Sequence, residues 1–277
     1  MRLVWQLLAV AAVGIIGSQV AMAFEGNAWA TLVVGLLASA LTLLAYWWVV
    51  RLTERRTVTE VVGKGSVRGL LIGTVAGFAL FAMVIVNIFF LGHYQVNGLG
   101  TVLGAIGLFG FMAAAAVTEE VLFRGVLFRI MEGWWGTWIA LVVPSLLFAL
   151  AHVPNPGATV VGIGAVFIAG TMFSAAYAAT RSLWLPIGLH FGWNYAASAV
   201  FSTEVSGAGT PTGLLDTTIT GPAMLTGGSF GPEASPYSIA FCLLTTLVFL
   251  WLAHRRGRLV PLRKDAKRVE SGSTLPQ

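Results

Sequence analysis

The chain has 277 residues, of which 57% are hydrophobic and 10% are charged, and its formal net charge is +5. A soluble domain usually carries about 25% charged residues, so the composition excludes an ordinary soluble protein, a disordered chain and a fibrous protein. The single cysteine, Cys242, cannot form an internal disulfide, and no CxxC motif is present to build a structural zinc finger. The hydrophobic residues occur in runs of about 20, the length that crosses a bilayer. The sequence therefore predicts a membrane protein.

Eight apolar segments are predicted to cross the membrane as helices. A β-barrel would show alternating segments of about 10 residues, whereas these runs are continuous. The predicted fold is therefore all-α, a polytopic transmembrane bundle of about eight helices. In chain order the segments are Leu3–Phe24, Ala28–Val50, Gly69–Gly92, Leu99–Val117, Thr137–Val153, Ala158–Thr180, Leu183–Phe201 and Tyr237–His254.

The first segment also resembles a signal peptide, because Ala21-Met22-Ala23 could form a cleavage site. Its apolar stretch of about 22 residues is longer than the usual core of about 7–15 residues. A retained helix is the favoured interpretation, and a cleaved signal peptide is the alternative.

The basic residues are distributed on one side of this topology. All 16 Lys and Arg residues fall on the side that contains both chain ends. The charged residues of the opposite loops are all acidic, and Glu204 and Glu233 are among them. Because loops rich in Lys and Arg stay in the cytoplasm, both termini are predicted to be cytoplasmic. The protein itself is predicted to lie in the plasma (inner) membrane. Membrane orientation explains the net charge, so no nucleic-acid partner is expected. Membrane lipids are expected partners, with anionic headgroups at the basic tail.

The chain is predicted to divide into five regions. The 202–236 region is rich in Gly, Thr, Ser and Pro and is expected to be a mobile loop. The regions are 1–98 with helices one to three, 99–201 with helices four to seven and the catalytic core, 202–236 as an extracytoplasmic loop, 237–254 with helix eight, and 255–277 as a basic cytoplasmic tail.

Two adjacent carboxylates in the fourth segment are the most unusual feature. Glu120 and Arg124 are four residues apart with the acid first, which favours an ion pair on a helix. Glu119 is then left without a helical partner, and a buried unpaired carboxylate suits proton transfer. We therefore assign Glu120 and Arg124 to structure and Glu119 to chemistry. The alternative is that both acids mark a helix end. Apolar residues continue to Arg129, however, and a helix of this length would place Glu119 roughly 15 Å from Arg129, within the membrane.

Other polar residues interrupt the fifth and seventh segments. His152 follows Phe148 by one turn at the end of the fifth segment, and Phe148 is assigned a structural role beside it. His190 and Asn194 are one turn apart on the seventh and face the same way. A lone histidine of this kind is more often a helix-end residue. Together with Glu119, however, the set can perform hydrolysis, because a carboxylate and one histidine can deprotonate water while the other groups stabilise an oxyanion.

These residues form three ordered motifs that resemble those of the CPBP family of intramembrane proteases, which includes the CAAX prenyl endopeptidases and bacterial proteins labelled Abi. The resemblance implies that Glu119 and His152 activate water. It implies that His190 and Asn194 form the oxyanion hole, that the site opens toward the cytosol, and that the substrate is a peptide or protein, which in CAAX-type reactions is lipidated. The motifs are Glu119-Glu120-x-x-x-Arg124, Phe148-x-x-x-His152 and His190-x-x-x-Asn194.

Two other functions are compatible with the same residues. The first is a zinc-dependent protease that uses His152, His190 and a glutamate as ligands, although no HExxH motif is present. Such a zinc site would leave Asn194 without a role, so no cofactor and no metal are expected. The second is a non-catalytic membrane protein, such as an immunity or scaffold protein or a transporter.

Overall fold

The computed structural model describes residues 1–24, 26–63, 65–209 and 211–262. The predicted tail of 255–277 lies outside the described residues from position 263 onward. Two short strands, β1 (Tyr94–Leu99) and β2 (Leu215–Ile219), pair antiparallel. The helices are α1 (Arg2–Ala23), α2 (Ala28–Glu54), α3 (Ser66–Phe90), α4 (Val102–Trp135), α5 (Thr137–Leu150), α6 (Val160–Thr180), α7 (Trp184–Tyr195) and α8 (Pro236–Arg255). The predicted all-α helix bundle is confirmed.

Six of the helices in the described ranges are long and apolar enough to cross a membrane, namely α1, α2, α3, α4, α6 and α8. The helix α5 has 14 residues, which span about 21 Å at 1.5 Å per residue and fall short of a hydrocarbon core of about 30 Å. The helix α7 has 12 residues and continues as a π-helix over Ala196–Val200. The chain is therefore a multi-pass membrane protein, whereas the eight crossings and the cytoplasmic termini stay predictions.

The fourth helix is much longer than the predicted Leu99–Val117. It begins at Val102 because the preceding residues form β1, and it continues to Trp135. Within it, Val121–Phe128 is a π-helix. Such segments are rare and occur frequently at functional sites. The helix therefore continues past Val117, as the apolar residues up to Arg129 predict, and Glu119 lies inside it.

The 202–236 region is more ordered than the sequence suggests. Its strand β2 pairs with β1, and short helical turns follow at Ala223–Thr226, Gly228–Phe230 and Pro232–Ala234. Gly207 donates its backbone N–H to the carbonyl of Phe230 at 3.1 Å. Residues 202–209 and 211–235 therefore contain short elements of secondary structure joined by backbone hydrogen bonds, and their mobility stays a prediction. We call these residues the outer segment.

Glycines position α7 against α3. A Cβ on Gly77 would lie 2.0 Å from the carbonyl oxygen of Leu189, and one on Gly73 would lie 2.3 Å from that of Leu185. From the other side, a Cβ on Gly188 would lie 2.2 Å from the carbonyl oxygen of Leu70. The two helices therefore touch backbone to backbone, as small residues at four-residue spacing allow in membranes. This contact fixes the helix that carries His190 and Asn194.

The charged residues gather at one end of the bundle. Arg129 Nη1 donates to Glu54 Oε2 at 2.8 Å, and Arg181 pairs with Glu132. The backbone N–H of Leu183 donates to the carbonyl of Glu60 at 3.0 Å, which connects the segment before α7 to the segment after α2. We call this the basic end, and we call the opposite end, with β1, β2 and the outer segment, the outer end. By the positive-inside rule the basic end is predicted to be cytoplasmic.

Candidate active site

Glu120 and Arg124 form a buried ion pair on α4. Both side chains are fully buried, and Arg124 Nη1 donates to Glu120 Oε1 at 2.8 Å. Arg124 Nη2 also donates to the carbonyl of Gly170 on α6 at 2.8 Å. The spacing of four residues therefore produces the pair that the sequence predicts. A lone charge would be costly in this buried position. Through the hydrogen bond to Gly170, the pair also connects α4 to α6.

Two aromatic rings enclose the guanidinium. The Cζ of Arg124 lies 4.8 Å from the ring centroid of Phe148 and 5.1 Å from that of Phe173. Rings at this distance stabilise a cation through their π-faces. Phe148 was assigned a structural role from its motif. Phe173 was missed, because nothing distinguishes it from the other apolar residues of its segment.

His190 meets both carboxylates. Its Nδ1 lies 2.9 Å from Glu120 Oε1, and its Nε2 lies 3.8 Å from Glu119 Oε2. The ring also stacks on Phe173 with centroids 4.7 Å apart. The contact with Glu120 fixes the ring so that Nε2 faces Glu119. Sequence reasoning missed this contact, because it joins residues 70 positions apart.

Glu119 keeps an unused acceptor. Its Oε2 atom is buried and has no hydrogen-bond partner among the described residues, although 30% of the side chain is exposed. Buried polar atoms are normally hydrogen-bonded, so an exception of this kind calls for an explanation. A carboxylate with a free oxygen beside a cavity can accept a proton.

His152 is held at the end of α5. Its Nδ1 lies 2.8 Å from the carbonyl oxygen of Phe148. Because a carbonyl can only accept, Nδ1 must carry the hydrogen, and in the neutral ring Nε2 is then an acceptor. His152 can therefore accept a hydrogen bond from a water molecule.

The predicted catalytic residues line one cavity of about 1100 Å³. Glu119, His152, His190 and Asn194 all line it, and so does Phe148. Glu120 and Arg124 lie behind this lining. The structure therefore brings together residues from α4, α5 and α7, as the hydrolytic hypothesis requires. Their catalytic roles stay predictions.

A second acid lines the cavity from the outer segment. Glu233 is 8% exposed and lines the same cavity. Trp193 Nε1 donates to Glu233 Oε1 at 2.8 Å, and the hydroxyl of Ser206 donates to Oε2 at 2.7 Å. The sequence placed Glu233 only among the acids of an outer loop, and no motif marks it. Its carboxylate ties the outer segment to α7.

The donor set does not match a zinc site. Among the described residues, no three His, Cys, Asp or Glu side chains are placed to hold a metal ion. The set considered from the sequence, His152 and His190 with a glutamate, is therefore not assembled in this arrangement. Metal-free catalysis stays a prediction.

The arrangement agrees with comparisons to known proteins. The model of the type II CAAX prenyl endopeptidase Rce1-like family matches residues 101–196, which include α4 to α7 and all three motifs. A protein of Escherichia coli, named "Uncharacterized 24.3 kDa protein", is 27% identical over 162 residues, which is 54% of this chain and 73% of that protein. No solved structure matches the chain. The part of the chain that carries the three motifs and lines the cavity is therefore similar to the type II CAAX prenyl endopeptidases.

Proposed function

We propose that the chain is an intramembrane endopeptidase in which Glu119 activates water and His190 with Asn194 stabilises the oxyanion. The match of residues 101–196 to the Rce1-like family model supports a CAAX-protease-like peptidase in general. The observation that carries the mechanism is the unpartnered Oε2 of Glu119, 3.8 Å from His190 Nε2 in a cavity of about 1100 Å³. The substrate is a peptide or protein in the membrane of the cell, which we propose to be the plasma (inner) membrane.

The first step is attack by water on the scissile carbonyl. Glu119 removes one proton from water, and the water oxygen bonds to the carbonyl carbon, whose oxygen takes up the electron pair. The Nε2 of His152 accepts a hydrogen bond from the second water hydrogen, which stays on the oxygen, and so orients the attack. General-base assistance of this kind contributes typically about 10²–10⁴-fold in rate.

The second step breaks the peptide bond. The proton held by Glu119 passes to the amide nitrogen, the carbon–nitrogen bond breaks, and the oxyanion collapses to a carboxyl group. The products are a carboxylic acid and an amine. The proton returns to the substrate, so no oxidant, reductant or further reactant is consumed.

The oxyanion is stabilised from α7. We propose that His190 acts as an imidazolium, with Nδ1 donating to Glu120 and Nε2 donating into the cavity. Two carboxylates and one guanidinium leave one negative charge, which this proton balances. Asn194 supplies a second donor one turn away. Donors placed where charge develops are usually the largest contribution to such reactions.

Glu120 and Arg124 act as positioning residues. They do not line the cavity, and they reach the reaction through His190 and the backbone of α6. Their buried pair holds the imidazole at a fixed orientation. Positioning of this kind matters because a shift of 1 Å at a reacting group can cost about 10²-fold in rate.

Purified enzyme in detergent tests the proposed activity. After dialysis against a strong chelator it is incubated with a mixed peptide library, and products are identified by mass spectrometry. A Glu119→Gln preparation purified in the same way controls for contaminating proteases. We expect cleavage by the metal-depleted parent and none by the variant. Activity lost on chelation and restored by stoichiometric zinc would contradict the metal-free mechanism, and folded parent without any cleavage would contradict the peptidase.

A further inference from the structure

The cavity opens toward the outer end of the bundle. Besides the site residues, it is lined by the C-terminal half of α1, the first turns of α2 and α4, the residues after α5, and the outer segment. Gln19, Gly104, Asn155 and Ala208 represent these parts. Each of them lies at the end opposite the basic one. The lining therefore traces a path from Glu119 to the outer end.

The path from the site to the basic end is filled with side chains. Arg124, Phe128 and Tyr46 are fully buried between the two. The hydroxyl of Tyr46 donates to the carbonyl of Gly125 in the π-helical segment at 2.9 Å. Beyond it lie the ion pairs of the basic end. A peptide approaching from that side would have to displace a buried, hydrogen-bonded layer.

The charge of the lining is negative. Glu119 and Glu233 contribute carboxylates, and none of the described residues that line the cavity is Lys or Arg. The proposed imidazolium of His190 is the one positive group among the described lining residues, and it already faces Glu119 and Glu120. With no Lys or Arg to pair with a substrate carboxylate, the cavity favours an uncharged or basic segment over an acidic one.

We propose that substrate enters from the extracytoplasmic side, as an extended uncharged or basic segment of a membrane-anchored or secreted polypeptide. The proposal rests on the proposed peptidase function and on the rule that the Lys- and Arg-rich end is cytoplasmic. It reverses the cytosolic opening that the family resemblance implies. The outer segment, tied to α7 through Glu233, then forms the rim over which the substrate passes.

Cysteine accessibility in vesicles tests the side of entry. The only cysteine in the sequence is removed by Cys242→Ala. On that background Ala115→Cys places a thiol in the cavity one turn before Glu119, Ala208→Cys places one at the rim, and Thr59→Cys places one at the basic end. A membrane-impermeant maleimide is added to right-side-out or inside-out vesicles, and residual thiol is measured with a permeant reagent.

We expect the impermeant reagent to abolish later labelling of Ala115→Cys and Ala208→Cys in right-side-out vesicles, and that of Thr59→Cys in inside-out vesicles. Reaction of Ala115→Cys only in inside-out vesicles would overturn the proposal, whichever side labels Thr59→Cys. Failure of both cavity thiols to react from the outer side would overturn it as well. Peptide cleavage by the same variants in detergent, where both sides are open, measures the proposed activity separately.

Discussion

The protein contains two clusters of charged residues that differ in how completely they are paired. At the basic end, Glu60 accepts from Arg56 at 2.6 Å and from the hydroxyl of Tyr46 at 2.5 Å. At the site, one oxygen of Glu119 and one of Glu120 are buried without a partner in the described part of the chain. The carboxylate of Glu60 in the first cluster is thus well paired. The second cluster keeps two unpaired carboxylate oxygens, one of them on a residue that lines the cavity.

The difference indicates that the cluster at the basic end serves stability and that the cluster at the site serves the proposed chemistry. A buried charge that is fully hydrogen-bonded contributes to a defined structure, whereas an unsatisfied one costs free energy unless something else uses it. Glu119 lines the cavity, and Glu120 does not. The proposed proton transfer would account for the free oxygen of Glu119, whereas Glu120 contacts His190 and orients the imidazole.

The largest expected effect on stability is at Arg124. Arg124→Ala leaves Glu120 buried without its guanidinium, and breaking a buried pair costs roughly 3–5 kcal/mol. Arg56→Ala should cost less, because its side chain is 32% exposed and Glu60 keeps the hydrogen bond from Tyr46. Unfolding temperature and yield in detergent measure both. Equal losses would mean that the two clusters do not differ in the way described.

The next effect is on turnover at Asn194. Asn194→Ala removes one oxyanion donor without removing a partner of Glu120, and such losses cost about 10²–10³ in rate. We expect kcat to fall with little change in KM. Asn87→Ala on α3, whose partly buried side chain donates to the carbonyl of Met83, is the matched control and should keep parental kinetics. A change in KM alone would refute the oxyanion role.

Backbone packing of α7 should matter at the level of about 1–3 kcal/mol, the usual cost of overpacking. Gly77→Ala forces a Cβ to within 2.0 Å of the carbonyl oxygen of Leu189, whereas the nearest atom to a Cβ on Gly69 is 3.5 Å away. We expect Gly77→Ala to lower the unfolding temperature and Gly69→Ala to leave it unchanged. Similar stability of the two variants would argue against a tight α3–α7 contact.

The smallest effect is a pH dependence at the basic end. Burial opposes the charge of Glu60, but hydrogen bonds from Arg56 and Tyr46 outweigh it and lower the pKa of the carboxyl. Its stabilisation is therefore present above the ordinary glutamate pKa of about 4.3 and is lost as the pH falls through the lowered value. The difference in unfolding temperature between the parent and Glu60→Gln should shrink at acid pH. A difference that grows on acidification would show the opposite sign.

Much of the architecture follows from the sequence because lipid imposes long apolar runs. The segments Ala28–Val50 and Tyr237–His254 differ from the observed helices by only a few residues at their ends. The apolar residues after Glu120 predict that the fourth helix continues to Arg129, and the observed helix ends a few residues later, at Trp135. The strand pair was missed because β1 is short and its partner lies more than 100 positions away.

The site was predictable where spacing within one helix determines the contact. The pair of Glu120 with Arg124 is of this kind. The bond from His190 to Glu120, the stacking of Phe173 and the reach of Glu233 into the cavity depend on how separate helices pack. No periodicity in one sequence encodes those distances.

Replacing each glutamate by glutamine tests the central claim most directly. Glu119→Gln keeps the shape of the side chain but removes the base, whereas Glu120→Gln removes the charge that holds Arg124 and His190. The measurement is the rate of peptide hydrolysis per folded molecule, with folding followed by unfolding temperature. We predict that Glu119→Gln unfolds like the parent and has lost hydrolysis, and that Glu120→Gln is destabilised. Hydrolysis retained by folded Glu119→Gln would contradict the account.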